Sequence, residues 1–239
     1  LQQTNKQLIM LCFKRASNNK IQLELENEAN TYAAMVSLVI GGNSIINKIV
    51  SNCISYEYQN RHNYNIYFDM TMTVLNYDLF GTFLDDTKMR HIKPMIDKLD
   101  NHRLKHKIIL STNWYLRSFE LKNVDSFLAK WIALEALCMK KEANINPIVN
   151  TLVNAYNKKD YDIKKEFMIG RIYKIRCDIV HQGILVEMNY NFLILVNCLI
   201  IDCLNQILGN PCLKLSEKHL VKNHIELKTY IEGLNKKFK

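Results

Sequence analysis

The 239-residue sequence predicts an α+β protein that is predominantly α-helical, in which a helical bundle follows a small α+β region. Three observations predict this class. Only 7 glycines and 3 prolines are present, which favours long helices over a turn-rich sandwich or barrel. Two early segments are dominated by β-branched and aromatic residues. Later segments repeat apolar residues at helical spacing. We therefore expect an N-terminal α+β region over residues 1–100 and a helical domain over residues 101–239.

The N-terminal region combines two local patterns. Residues 21–26 alternate apolar and polar side chains, as a half-buried strand does. Residues 27–40 then follow helical spacing until a pair of glycines ends the helix. Two further strands are predicted over residues 45–58 and 64–75, where β-branched and aromatic residues are concentrated.

The rest of the chain predicts a series of helices separated by caps and breaks. Residues 123–125 offer an N-cap, and Pro147 suits the first turn of a short helix. Gly183 and residues 209–211 are stop signals. The predicted helices span residues 87–99, 104–121, 126–141, 147–157, 162–181, 187–208 and 216–237.

Charge and cysteine content narrow the function classes. The formal net charge of +9 suits an anionic partner such as nucleic acid, although lysines that only solvate the surface would give the same value. The 7 cysteines include no C-x-x-C pair, which argues against a zinc site or a disulfide framework and suits a reducing cytosol. Four polar residues interrupt the most apolar run, residues 192–208, which predicts a buried helix rather than a membrane span. We expect a cytoplasmic protein without metal or cofactor.

Two short segments contain the candidate chemistry. Residues 131–137 have the sequence W-I-A-L-E-A-L, with Glu135 as the one charged residue in an apolar helical pattern. Residues 176–181 have the sequence R-C-D-I-V-H and end a predicted helix. Arginine supplies a permanent cation for a phosphate, and histidine can transfer a proton near neutral pH. This combination suits cleavage of an RNA phosphodiester, because a 2′-hydroxyl loses its proton while negative charge builds on the phosphate.

Together the two segments resemble the HEPN superfamily, specifically its Apea-like branch, over residues 108–208. That branch has a W-x-A-L-E-x-L helix followed by an R-x4-H type of motif, which here would be Arg176 and His181. Cys177 departs from the family, in which a polar residue often follows the arginine; the nearest polar residue is Asp178. The resemblance implies a metal-independent endoribonuclease, in the family's usual context a toxin or antiphage defence effector. Its products would carry a 2′,3′-cyclic phosphate and a 5′-hydroxyl.

The roles of the two motif residues follow from their chemistry. We expect His181 to take the 2′-hydroxyl proton or to protonate the leaving 5′-oxygen, and Arg176 to hold the phosphate. Five helical steps of about 100° place the two residues roughly 140° apart around one helix, so a single helix hardly builds a complete acid–base site. A homodimer with a composite active site, which the resemblance also implies, would bring two Arg–His pairs into one cleft. A regulatory partner protein is a further possible partner, beside RNA.

Each of these residues also has a structural interpretation. Arg176 can form an ion pair with Glu135 or Asp178, and His181 can cap the end of its helix. Glu135 is expected to position Arg176, because a carboxylate in an apolar helix needs a partner. Cys177 is expected to be a packed thiol.

Other candidates and alternatives are less specific. Aromatic residues at 114, 115 and 131 can stack on bases or pack in the core, and core packing is the commoner case. Basic residues form a second set of RNA-binding candidates: Lys174, Arg103, Lys105 and Lys107. For the whole protein, the alternative is a catalytically inactive HEPN module that serves as a dimerisation or RNA-binding platform. DNA-binding regulation is a third interpretation that depends on net charge alone.

Overall fold

A computed structural model describes residues 49–60, 63–72, 98–99, 103–119, 121–138 and 144–237. The described part of the chain is predominantly helical, as the sequence predicted. The predicted strand over 21–26, the helix over 27–40, most of the helix over 87–99 and the domain boundary near residue 100 lie outside the described residues.

Two antiparallel strands form a hairpin, β1 (Ile49–Asn60) and β2 (Asn63–Met72). They overlap the strands predicted over 45–58 and 64–75, and Ser55 is paired with Tyr67 near the middle. The register shifts at two places along the ladder. A two-stranded hairpin does not by itself establish the α+β region predicted for residues 1–100.

Seven helices occupy the described residues from 105 onward. They are α1 (Lys105–Arg117), α2 (Asn123–Cys138), α3 (Asn146–Tyr156), α4 (Asp160–Glu166), α5 (Ile169–Gln182), α6 (Tyr190–Ile207) and α7 (Leu215–Lys237).

Helix α6 is the centre of the bundle, and α2, α3 and α7 pack around it. By length and composition it could cross a membrane, but 67% of it is buried inside the protein. The rings of Phe127 on α2 and Phe192 on α6 lie 5.1 Å apart in this core. Helix α1 packs on α2, and α5 contacts α2, α4 and α7. The two helices with the motif segments, α2 and α5, are therefore neighbours.

The prediction of one continuous helix over residues 162–181 was wrong. The chain forms α4 and α5 instead, separated at Phe167 and Met168. Met168 has a φ of 53°, in the left-handed region that ends a right-handed helix. Both side chains at the break are buried in the core, which explains why a hydrophobic pattern alone does not reveal it.

A buried lysine joins the end of α1 to α2. Lys130 Nζ donates to Ser126 Oγ at 2.7 Å and to Ser118 Oγ at 3.0 Å, and it lies 5.2 Å from the centre of the Phe119 ring. The two hydroxyls in turn donate to the carbonyls of Ser118 and Tyr115 at the end of α1. Burial lowers the pKa of Lys130 to about 8.

A buried aspartate caps the start of α7. Asp202 on α6 accepts hydrogen bonds from the backbone N–H of Leu215 at 3.1 Å and of Ser216 at 2.9 Å, and from Ser216 Oγ at 2.7 Å. The Tyr156 hydroxyl of α3 donates to the same carboxylate. Burial and the Asp202 charge raise the pKa of Tyr156. This network ties α3, α6 and α7 together.

Candidate functional site

Glu135 joins the two motif segments that the sequence singled out. Its Oε1 accepts a hydrogen bond from the indole Nε1 of Trp131 at 2.7 Å, one helical turn away on α2. Its Oε2 faces Arg176 Nη2 on α5 at 3.4 Å. Trp131 is fully buried, so the carboxylate is held from the core side and presents its second oxygen to the arginine. The two segments therefore meet through one carboxylate, although Glu135 and Arg176 are 41 residues apart in the chain.

Arg176 is restrained but keeps hydrogen-bonding capacity. Its side chain is 25% exposed and that of Glu135 is 18% exposed, so the pair lies at the edge of the bundle. A guanidinium has five N–H donors, and among described residues Arg176 forms one hydrogen bond, to Glu135. The remaining donors of the planar guanidinium can reach an anion such as a phosphate in the bidentate way that arginine favours.

Tyr173 belongs to the same cluster, although the sequence did not identify it. Its ring centre lies 6.2 Å from that of Trp131, and its hydroxyl lies near the thiol of Cys177, one turn along α5. The interaction with Cys177 raises the pKa of Tyr173, burial adds to this effect, and the charge of nearby Arg176 lowers the pKa. The sequence could have predicted that Tyr173 neighbours Cys177, because residues four positions apart lie one turn apart on a helix.

His181 lies on the last turn of α5 and is exposed to solvent. None of the described residues hydrogen-bonds to its imidazole. The helix ends at Gly183, whose φ of 64° is in the left-handed region. Arg176 is partly buried against Glu135 while His181 faces outward, as the roughly 140° separation on a helix requires.

Asp178 does not support Arg176. Its carboxylate pairs with Lys174 at 2.6 Å, four residues earlier on α5. Of the two partners expected for Arg176, the structure therefore selects Glu135. The same ion pair occupies Lys174, one of the candidate RNA-binding lysines.

The remaining sequence candidates lie on another helix. Arg103 precedes α1, and Lys105 and Lys107 lie on it. Helix α1 packs on α2, whereas Arg176 and His181 are on α5. Tyr115 and Trp131 are buried in the core and Trp114 is half-buried beside Arg117, so core packing is the correct interpretation for the first two aromatic residues.

Comparison with other proteins adds no relative. No protein-family model matches the chain, and no curated protein or solved structure shows significant similarity to it. Within the described ranges, no group of three or more His, Cys, Asp or Glu side chains could hold a metal ion. What the geometry offers is a positioned cation, Arg176, and a solvent-exposed proton-transfer group, His181, on one helix.

Proposed function

We propose that this protein is a HEPN-type endoribonuclease that needs no metal. The observation that supports this function best is the contact of Glu135 with both Trp131 and Arg176, because it joins the two segments on which the resemblance depends. A carboxylate that orients an arginine at a surface suits phosphate binding better than core stability. Isolated surface ion pairs contribute only about 0–1 kcal/mol.

In the proposed reaction the RNA supplies its own nucleophile. The 2′-oxygen attacks the adjacent phosphorus, its proton passes to a base, and the 5′-oxygen leaves with a proton from an acid. Arg176 would stabilise the charge on the phosphate oxygens, and His181 would serve as one proton-transfer group. The products would carry a 2′,3′-cyclic phosphate and a 5′-hydroxyl.

A second copy of the chain would complete the site. Arg176 faces Glu135 while His181 faces solvent, so one α5 helix does not direct both groups at the same phosphate. A two-fold homodimer that joins two α5 helices would supply both an acid and a base. A cytoplasmic toxin or antiphage effector, restrained by a partner protein, is the setting in which such an activity would operate.

A catalytically inactive module for dimerisation or RNA binding is the second candidate. Cys177, a partly exposed free thiol, occupies the position after the arginine. A polar residue at that position is common in active members of the family that the chain resembles. This observation favours a binding role over catalysis.

Cleavage of labelled tRNA and mRNA in EDTA distinguishes the two candidates. The parent should cut RNA, and Arg176→Ala and His181→Ala should each lose the activity. Lys122→Ala, just before α2, and His106→Ala, on α1, are controls because both residues are exposed and outside the cluster. Equal background from all five proteins would exclude the nuclease.

Sedimentation tests the composite site independently of cleavage. Analytical ultracentrifugation of the parent, with and without an uncleavable RNA, should show a dimer. A strict monomer under both conditions would contradict a site shared between two copies.

A further inference from the structure

Helix α7 exposes a row of lysines along its outer face. We call this row the α7 lysine face; it consists of Lys218, Lys222, Lys228 and Lys236. The opposite side of the helix is buried in the bundle through Leu220, Leu227, Ile231 and Leu234. Because these apolar residues occur on both sides of the bend at Asn223, the exposed lysines lie on the solvent side along the whole helix.

The acidic residues of α7 neutralise this face only in part. Glu217 pairs with Lys158 at 2.7 Å, and Glu232 pairs with Arg171 of α5 at 2.6 Å. The carboxylate of Glu226 accepts hydrogen bonds from the side-chain amides of Asn189 and Asn191. Each glutamate thus faces a partner on another element, whereas none of the four lysines forms an ion pair with a described residue. Lys228 and Lys236 lie close enough to Glu232 for their charges to help lower its pKa, but Glu217 and Glu232 are already paired with cations on other elements, so the helix keeps an excess of positive charge.

We propose that the α7 lysine face binds the phosphate backbone of a single-stranded RNA. Lys218 and Lys222 are one helical turn apart, and the row from Lys218 to Lys236 extends about 27 Å along the helix, enough for several nucleotides. Binding by lysines to phosphates is electrostatic and independent of sequence. Helix α7 packs directly against α5, so an RNA held there lies beside the helix of Arg176 and His181.

An RNA fits this face better than an acidic membrane. A helix that inserts into a membrane interface needs a wide exposed apolar face, and the apolar side of α7 is already buried in the bundle. Two apolar residues are exposed among the lysines, Val221 at 79% and Ile225 at 82%. Two aliphatic side chains are too few to insert into lipid, but they can pack against the faces of unstacked bases.

Binding is measured with a fluorescent single-stranded RNA whose 2′-hydroxyls are methylated. This strand cannot be cut by 2′-hydroxyl attack, so binding is separated from the proposed cleavage, on which the choice of RNA as ligand rests. The test variant is Lys218→Gln/Lys222→Gln/Lys228→Gln. The control variant is Lys122→Gln/Lys159→Gln/Lys165→Gln, which removes the same charge from exposed positions elsewhere.

We expect the α7 variant to bind about a hundredfold more weakly than the parent near 0.1 M salt. Each phosphate contact to a single strand adds about 0.7 to the slope of log K against log salt, so the slope should also fall by about 2. The control should change neither quantity by a comparable amount. Equal affinities and slopes for the α7 variant and the control would overturn the proposal, whether or not the parent cleaves RNA.

Vesicles that contain phosphatidylserine test whether the α7 lysine face binds an anionic membrane instead. Sedimentation with these vesicles should be weak for the parent and unchanged in the α7 variant. A variant that loses vesicle binding while keeping the parent's affinity for RNA would assign the face to an anionic membrane and refute the RNA proposal. Circular dichroism that matches the parent confirms that each variant is folded.

Discussion

Replacement of Lys130 by methionine tests the buried network at the end of α1. The folded protein holds Lys130 with a pKa of about 8, whereas the ordinary pKa of a lysine side chain is 10.5. Between these two pH values the unfolded chain binds a proton that the folded chain does not, so this residue makes stability rise with pH. At about 1.4 kcal/mol per pKa unit, the gain is roughly 2 kcal/mol between pH 8 and 9.5.

The measurement is the difference between two stability profiles. Urea unfolding of the parent and of Lys130→Met is followed from pH 7 to 9.5, and the difference between them should change by roughly 2 kcal/mol in favour of the parent. The difference is needed because burial also raises the pKa of Cys198 to about 12. A thiol that ionises only in the unfolded chain makes stability fall above its usual pKa, and this effect is common to both proteins.

Lys122→Met is the control, because Lys122 is exposed just before α2. Its profile should run parallel to that of the parent. If the profile of Lys130→Met is also parallel, Lys130 titrates alike in the folded and unfolded chains, and the inference that burial favours its neutral form is refuted.

Three further substitutions test the site and the fold. Asp202→Asn should lower the free energy of unfolding by on the order of 3 kcal/mol, because an amide N–H₂ would face the donors of Ser216; a loss below about 1 kcal/mol in urea unfolding would contradict the capping role. Trp131→Phe keeps a ring but removes the donor to Glu135, so it should cost about 1 kcal/mol plus any cavity effect, and a variant as stable as the parent would show that the hydrogen bond contributes nothing. Glu135→Gln should leave the fold intact and reduce RNA cleavage by about tenfold to a hundredfold, because Arg176 loses the charge that orients it; unchanged kcat/KM would remove Glu135 from the site.

Local signals predicted most helices but missed one break. Pro147 correctly indicated the start of α3, and residues 209–211 correctly indicated the end of α6. Proline and glycine determine the conformation of the local backbone, so their effect can be predicted from sequence. The break between α4 and α5 depends on Met168, a residue without any preference for the left-handed region. Tertiary packing of its buried side chain fixes that conformation, so a reading of local sequence had no means to find it.

The candidate site was predictable to a similar extent. The sequence identified Glu135 as the residue to position Arg176, because a charged residue inside an apolar helix requires a partner. It left Asp178 as an alternative, and the structure pairs that carboxylate with Lys174 instead. The contact between α2 and α5 brings Glu135 to Arg176. Helical spacing within one segment cannot predict a contact between two helices.

The extent to which a polar group is already hydrogen-bonded distinguishes positions that stabilise this bundle from candidate functional positions. Lys130 and Asp202 are buried, and their bonds end at helix termini, so their substitution should change stability. Arg176 differs in both respects, because it is partly exposed and its guanidinium retains donors that no described residue accepts. A cation that a neighbour orients, and that still has unused N–H donors, can form new hydrogen bonds to an external anion. The same criterion marks the α7 lysine face, where the glutamates bond to other elements and none of the four lysines forms an ion pair with a described residue, so the proposed RNA would contact two adjacent helices.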